Sequence, residues 1–266
     1  MVSSYDSLSS NFISETVSMG IDNNSELAVL KSLTEYCERR LSRESEDPVT
    51  RLTKRTDGFA AFPCYVRGQD YSRIQARENA LNEATERYLW ARWWDDHNSK
   101  FQLENGPSSI NRSDVNTLIN EFNLKSVRSI NVTDSLENKT LTVLIAETFN
   151  GGFVTGGSAS NSREVGRREL PAFGELLRHL IVFRKMEKES ATHSFYEQRL
   201  FGFASGNWAD LVRARLASGG TVDIVLPSLE ADSEVCQSEM DLVSVHRCLY
   251  SGQPEFMGGP LERLCI

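Results

Sequence analysis

Apolar positions along the chain fall into two rhythms. Between Ser25 and Arg43, Leu27, Leu30, Leu33 and Cys37 stand among strong helix formers with no Pro or Gly, which predicts an amphipathic helix. Asn24 or Ser25 supplies the capping oxygen, and Glu26 sits in the positive first turn. Phe59 to Val66 is a short apolar run that predicts a buried strand, with Pro63 at an edge or bulge. A second long helix is expected from Ser72 to Asp95. Its apolar series is Ile74, Leu81, Tyr88 and Trp94, while Ala76, Ala80 and Ala84 leave room for a close neighbour.

Residues 98–131 are polar and predict no element. Leu141 to Thr148 reads as a strand feeding a glycine-rich bend at Gly151, Gly152, Gly156 and Gly157. Further helices are expected from Pro171 to Lys188, with the proline in the first turn, from Ser194 to Gly202, and from Trp208 to Leu216. Strands are expected at Val222 to Leu226 and Leu242 to Leu249. Helices interspersed with strands predict a mixed α/β (α+β) class, and the order alone leaves the sheet topology open.

The chemistry-bearing pattern is a repeat. Ala28, Glu35 and Glu38-Arg39 in the first helix recur as Ala76, Glu83 and Glu86-Arg87 in the second, forty-eight residues later. Residues three apart share a helix face, so each helix presents two carboxylates at adjacent levels. If the pairs face one another, four negative groups repel, and hard Mg2+ ions bridging to phosphate relieve that repulsion. Arg39 and Arg87 then pair with a phosphate or restrain a carboxylate. The same pattern also suits solvated helix surfaces, where Glu and Arg are simply good helix formers, and the residues alone leave both readings open.

The 266 residues suffice for one large domain, and the net charge of -8 argues against broad nucleic-acid or anionic-membrane binding. There is no eighteen-residue apolar run and no secretory signal pattern, so the expected location is the cytoplasm. Cys37, Cys64, Cys236, Cys248 and Cys265 are odd in number and scattered, which predicts reduced thiols. The four histidines, His97, His179, His193 and His246, form no ligand series and single out no catalytic residue. Trp90, Trp93 and Trp94 are expected in the core or at a homodimer surface rather than stacked on substrate.

From Gly20 to Arg39, the order Gly, turn residues, Ala28, Leu33-Thr34-Glu35 and Glu38-Arg39 resembles the first acidic helix of the YcaO family of ATP-dependent, peptide-backbone-activating enzymes. Asp57-Gly58-Phe59-Ala60-Ala61, followed by Ala76, Leu81, Glu83, Glu86 and Arg87, is similar to that family's bend and second acidic helix. Gly156-Gly157, Arg167, Arg168, Glu175 and Leu176-Leu177 look like its later bend and helix. The resemblance implies a single YcaO-like domain over residues 1–266, with paired acidic helices, in regions 20–43 and 72–96, packed on β-sheet. It implies ATP and Mg2+ as cofactors, held by Glu35, Glu38, Glu83 and Glu86, with Arg39, Arg87 and Glu175 at the nucleotide.

Two departures stand out. Gln75 replaces a family carboxylate eight positions before Glu83, leaving a neutral metal ligand, and Pro171 falls where the family often carries an Arg. The chain also ends without the proline-rich tail of many azoline-forming members. The implied activity is O-phosphorylation of a backbone amide in a ribosomally made precursor peptide, leading to an azoline. Thioamide or amidine formation, and a substrate-binding or scaffold role without catalysis, are the alternatives. A separate leader-binding or activating protein is the expected partner.

Overall fold

A computed structural model describes residues 2–4, 18–20, 57–64, 68–160, 165–187, 195–235, 243–254 and 264. The chain divides into two compact units, one of Met1–Ala84 with Ser228–Gln253 and one of Thr85–Pro227 with Pro254–Ile266. The expected helix at Ser25 to Arg43 lies outside the described residues.

In the first unit, β1 (Val2–Ser4) pairs antiparallel with β2 (Ser18–Gly20). A separate antiparallel sheet has the order β3 (Gly58–Pro63), β9 (Val243–Tyr250), β8 (Leu229–Glu234). Pro63 ends β3, which is an edge strand among the described residues, so its missing N–H interrupts no ladder bond seen there. Helix α1 (Gln69–Asp95) begins three residues before the sequence suggests. Its sheet-facing stripe in this unit is Ser72, Ala76, Ala80 and Ala84, all buried, whereas Ile74 is 57% exposed. Small residues at every fourth position let helix and strand backbones close up. A Cβ on Gly58 would lie 1.8 Å from the Ala80 carbonyl oxygen.

The second unit carries an antiparallel sheet in the order β4 (Gln102–Glu104), β5 (Leu124–Thr133), β6 (Thr140–Thr148), β7 (Phe153–Ser160). Helix α2 (Arg112–Phe122) precedes β5 and buries Leu118, with Asn123 in the left-handed conformation ending it. Helix α3 (Gly166–Met186) lies on β6 and β7 and joins a core of Leu144, Val154, Ala172, Leu176 and Leu180. Helices α4 (Phe195–Ala204) and α5 (Ala209–Ala217) follow. Among the described residues no helix is long and apolar enough to cross a membrane.

Three expectations are corrected. Gly156 and Gly157 belong to β7 rather than to a bend. A Cβ on Gly156 would meet Leu176 N at 2.1 Å, so the glycine admits α3 rather than turning the chain. Helix α3 starts five residues before Pro171, which sits inside it. Val222 to Leu226 forms no strand, only isolated bridges from Val222 to Ser99 and from Ile224 to Asp134. Trp90 and Trp93 are fully buried and Trp94 nearly so, as core packing requires.

Candidate functional site

Helix α1 carries four of the candidate residues. Glu83 is half-buried beside the alanine stripe, and its Oε2 accepts the backbone N–H of Phe59 at 2.6 Å. Glu86 and Arg87, also half-buried, follow within one turn. Gln75 donates its side-chain amide to Glu78 Oε2 at 3.1 Å. Eight helical residues place Gln75 about 12 Å from Glu83 along the axis. Glu35, Glu38 and Arg39 lie outside the described residues.

Glu175 sits in α3 of the second unit, half-buried and ion-paired with Arg178 one turn on. The next residue, His179, is fully buried. Its Nδ1 lies 2.6 Å from the Thr155 carbonyl oxygen, which can only accept, so Nδ1 carries the hydrogen. That leaves Nε2 to accept from the Tyr196 hydroxyl, with Arg178 at 3.3 Å. Burial, and then the Arg178 charge, pull the His179 pKa down to about 4, which keeps the ring neutral near pH 7. Arg168, the neighbour of a fully buried Glu169, donates to Thr142 Oγ1 at 3.2 Å, and burial lowers its pKa. Glu169 itself accepts the backbone amides of Ser108 and Ser109 at 2.8 and 2.5 Å, and so fixes the loop ahead of α2.

A further cluster, not indicated by sequence, lies on the β8–β9 hairpin. Asp232 is paired in register with Cys248, and His246 is two residues from Cys248, so the three side chains share one face. His246 Nε2 is 2.7 Å from Asp232 Oδ1, and Cys248 Sγ is 3.7 Å from the same oxygen. Arg77 of α1 holds Asp232 through Nε at 2.9 Å from Oδ1 and 3.0 Å from Oδ2, and through Nη2 at 2.5 Å from Oδ2. The Arg77 bond holds the Asp232 carboxyl down at about 2, outweighing burial, which pushes it up, with a further lowering from the His246 bond. The visible signal was the two-residue spacing of His246 and Cys248. Asp232 was hidden because Leu229–Glu234 has no apolar alternation to mark it as a strand.

No protein-family model matches the chain, and no curated protein matches it by sequence. Solved structures do. YcaO from Methanopyrus kandleri, bound with AMPPCP and Mg2+, superposes with a TM-score of 0.55 at 16% identity, covering 94% of this chain and 82% of that one. The E. coli microcin synthetase McbBCD complex gives a TM-score of 0.54 at 12% identity, covering 94% of this chain and 90% of the other. These superpositions show a YcaO-like fold, with helices packed on the three-stranded and the four-stranded β-sheets.

Proposed function

We propose that this chain is a YcaO-like enzyme that uses ATP and Mg2+ to O-phosphorylate a peptide backbone amide, leading to an azoline in a ribosomally made precursor peptide. The carrying observation is the likeness over 94% of the chain to a YcaO structure bound with AMPPCP and Mg2+. The donor chemistry on α1 suits magnesium, because Glu83 and Glu86 offer hard carboxylate oxygens on half-buried positions one turn apart. The Phe59 amide orients Glu83, as outer-shell donors orient metal-bound carboxylates.

In this reading Glu83 and Glu86, with Glu35 and Glu38, hold the metal, while Arg39, Arg87 and Glu175 act at the nucleotide. Gln75 adds a neutral amide oxygen to that metal-binding set. Bound Mg-ATP supplies the phosphoryl group that converts the amide oxygen into a leaving group. The chain's own task is then alignment of the amide and exclusion of water. A second protein presents the peptide, in keeping with the McbBCD structure being that of a complex.

The test is to incubate the full chain with Mg-ATP, a precursor peptide and a partner protein from the same genomic neighbourhood. The expected result is loss of one water per azoline, with peptide-stimulated ATP turnover. Exchange of oxygen for sulfur, in the presence of a sulfur donor, would indicate a thioamide instead. An unchanged peptide and no stimulated turnover would overturn the enzymatic reading and leave substrate binding without catalysis, which the neutral Gln75 favours.

A further inference from the structure

We propose that Asp232, His246 and Cys248 form a zinc site that fastens the β8–β9 hairpin, separate from the proposed magnesium site and independent of that reading. The three donor atoms lie within 4.8 Å of one another. A tetrahedral zinc with bonds of about 2.0–2.3 Å sets its donors about 3.5 Å apart, so small side-chain rotations suffice. Thiolate, imidazole and a single carboxylate form a donor set suited to zinc and poorly suited to magnesium.

Backbone register builds the site. Asp232 stands directly across from Cys248, and Cys248 stands directly across from Gly58 on its other side. The approach of α1 at Gly58 covers that part of the sheet, and Cys248 is fully buried there. A thiol so enclosed is unsuited to attacking a peptide, and Asp232 rather than His246 is the group shared between the other two, which is not the order of a Cys-His-Asp nucleophile. Asp232 is the open side, with its side chain 28% exposed, and leaves the fourth position to water.

Arg77 is compatible with an ion at this place. Oδ1 is the oxygen turned toward His246 and Cys248, while Arg77 binds Oδ2 through Nη2 and straddles both oxygens through Nε, 2.9 Å from Oδ1 and 3.0 Å from Oδ2. Zinc on Oδ1 replaces the Nε bond to that oxygen and leaves Arg77 its two bonds to Oδ2, so that it acts as the outer-shell donor that fixes a metal-bound carboxylate. On binding, the Cys248 thiol proton leaves to solvent. The proton between His246 Nε2 and Asp232 moves to Nδ1 or to solvent. Zinc is then held by one thiolate, one carboxylate and one neutral imidazole, with no change of oxidation state.

The experiment uses the full chain, loaded with zinc or cobalt and desalted. One equivalent of zinc is expected by elemental analysis. Cobalt should give a sulfur-to-cobalt charge-transfer band that excess Mg2+ does not remove. Cys248→Ser should abolish the band, and Asp232→Asn and His246→Gln should each weaken cobalt binding about tenfold or more, with circular dichroism confirming that each variant is folded. A band that persists in Cys248→Ser, or metal content at background in the wild-type chain, would overturn the site and leave the cluster a hydrogen-bonded network only. Should Cys248→Ser fail to fold, cobalt titration of His246→Gln and Asp232→Asn decides alone, and unchanged affinity in both would overturn the proposal.

Discussion

Phe59 and Glu83 are joined across twenty-four residues by one bond, the strand amide donating to the helix carboxylate at 2.6 Å. The same carboxylate therefore serves the packing of β3 on α1 and, in the proposed function, a magnesium ion. Glu83→Gln keeps an oxygen for the amide but removes the charge. We expect Mg2+-dependent ATP affinity, measured by calorimetry, to fall about tenfold or more, equivalent to about 1.4 kcal/mol, while thermal stability changes little. Glu83→Ala should in addition lose about 1–3 kcal/mol of stability, because the Phe59 amide is left without its acceptor. ATP binding that ignores both Mg2+ and Glu83→Gln would remove α1 from the nucleotide site.

His179 makes the fold acid-sensitive. Its folded pKa of about 4 lies below the ordinary 6.5, so between these values the unfolded chain takes up a proton that the folded chain refuses. Stability from this group is complete above pH 6.5 and declines as pH falls toward 4, by about 3 kcal/mol in all. His179→Gln, which can donate to Thr155 and accept from Tyr196, should unfold with a shallower pH dependence over that window. Parallel urea-denaturation curves for the two proteins across the window would contradict this account.

Arg215 ties α5 to the end of α1. Fully buried, it donates to the carbonyls of Trp93 at 2.6 Å and Ser99 at 2.9 Å, and its guanidinium lies 4.8 Å from the Trp93 ring centroid. Arg215→Met would strand those carbonyls, and a loss of about 3 kcal/mol or more is expected. Arg215→Lys should recover only part of it, since a single ammonium cannot reproduce the fork. A melting temperature unchanged in Arg215→Met would show that water replaces the guanidinium freely.

Two glycines, one in β7 and one in α3, should respond with opposite signs. A Cβ on Gly156 would lie 2.1 Å from Leu176 N and 2.3 Å from the Ala172 carbonyl oxygen, so Gly156→Ala should destabilise by about 3 kcal/mol. Gly174, within α3, has nothing within 4 Å of its virtual Cβ. Gly174→Ala should stabilise by about 0.5–1 kcal/mol, through the entropy of the unfolded chain. Equal effects in chemical denaturation would mean that α3 is not seated on β7 in this way.

Sequence periodicity found α1, β6, α3, α4, α5 and β9 because each has an apolar face long enough to count. It missed α2 and β5, where polar residues such as Lys125 and Arg128 interrupt the pattern although Val127, Ile130 and Val132 are buried. On α1 the apolar series held at Tyr88 and Trp94, which are buried, and failed at Ile74. Ile74 faces solvent because the sheet demands close backbone approach, which alanine permits and isoleucine does not. The pairing of Glu83 with Phe59, and of Asp232 with Cys248, depends on register between distant strands, which no local spacing records. The acidic repeat itself was legible, but half of it, Glu35 and Glu38, lies outside the described residues.

Strand β8 has a consequence for how the protein behaves in a crowded solution. It is the outer strand of its sheet among the described residues, and an outer strand is a template on which another chain can polymerise. Its sequence, Leu229–Glu234, carries Glu230, Asp232 and Glu234 within six residues, and a register shift breaks its pairing between Leu229 and Ala231. Any second copy arriving edge to edge would bring three more carboxylates against these and meet an irregular ladder. Such an edge disfavours pairing with a second copy, and neutralising Glu230 and Glu234 together is expected to lower the concentration at which the protein begins to aggregate.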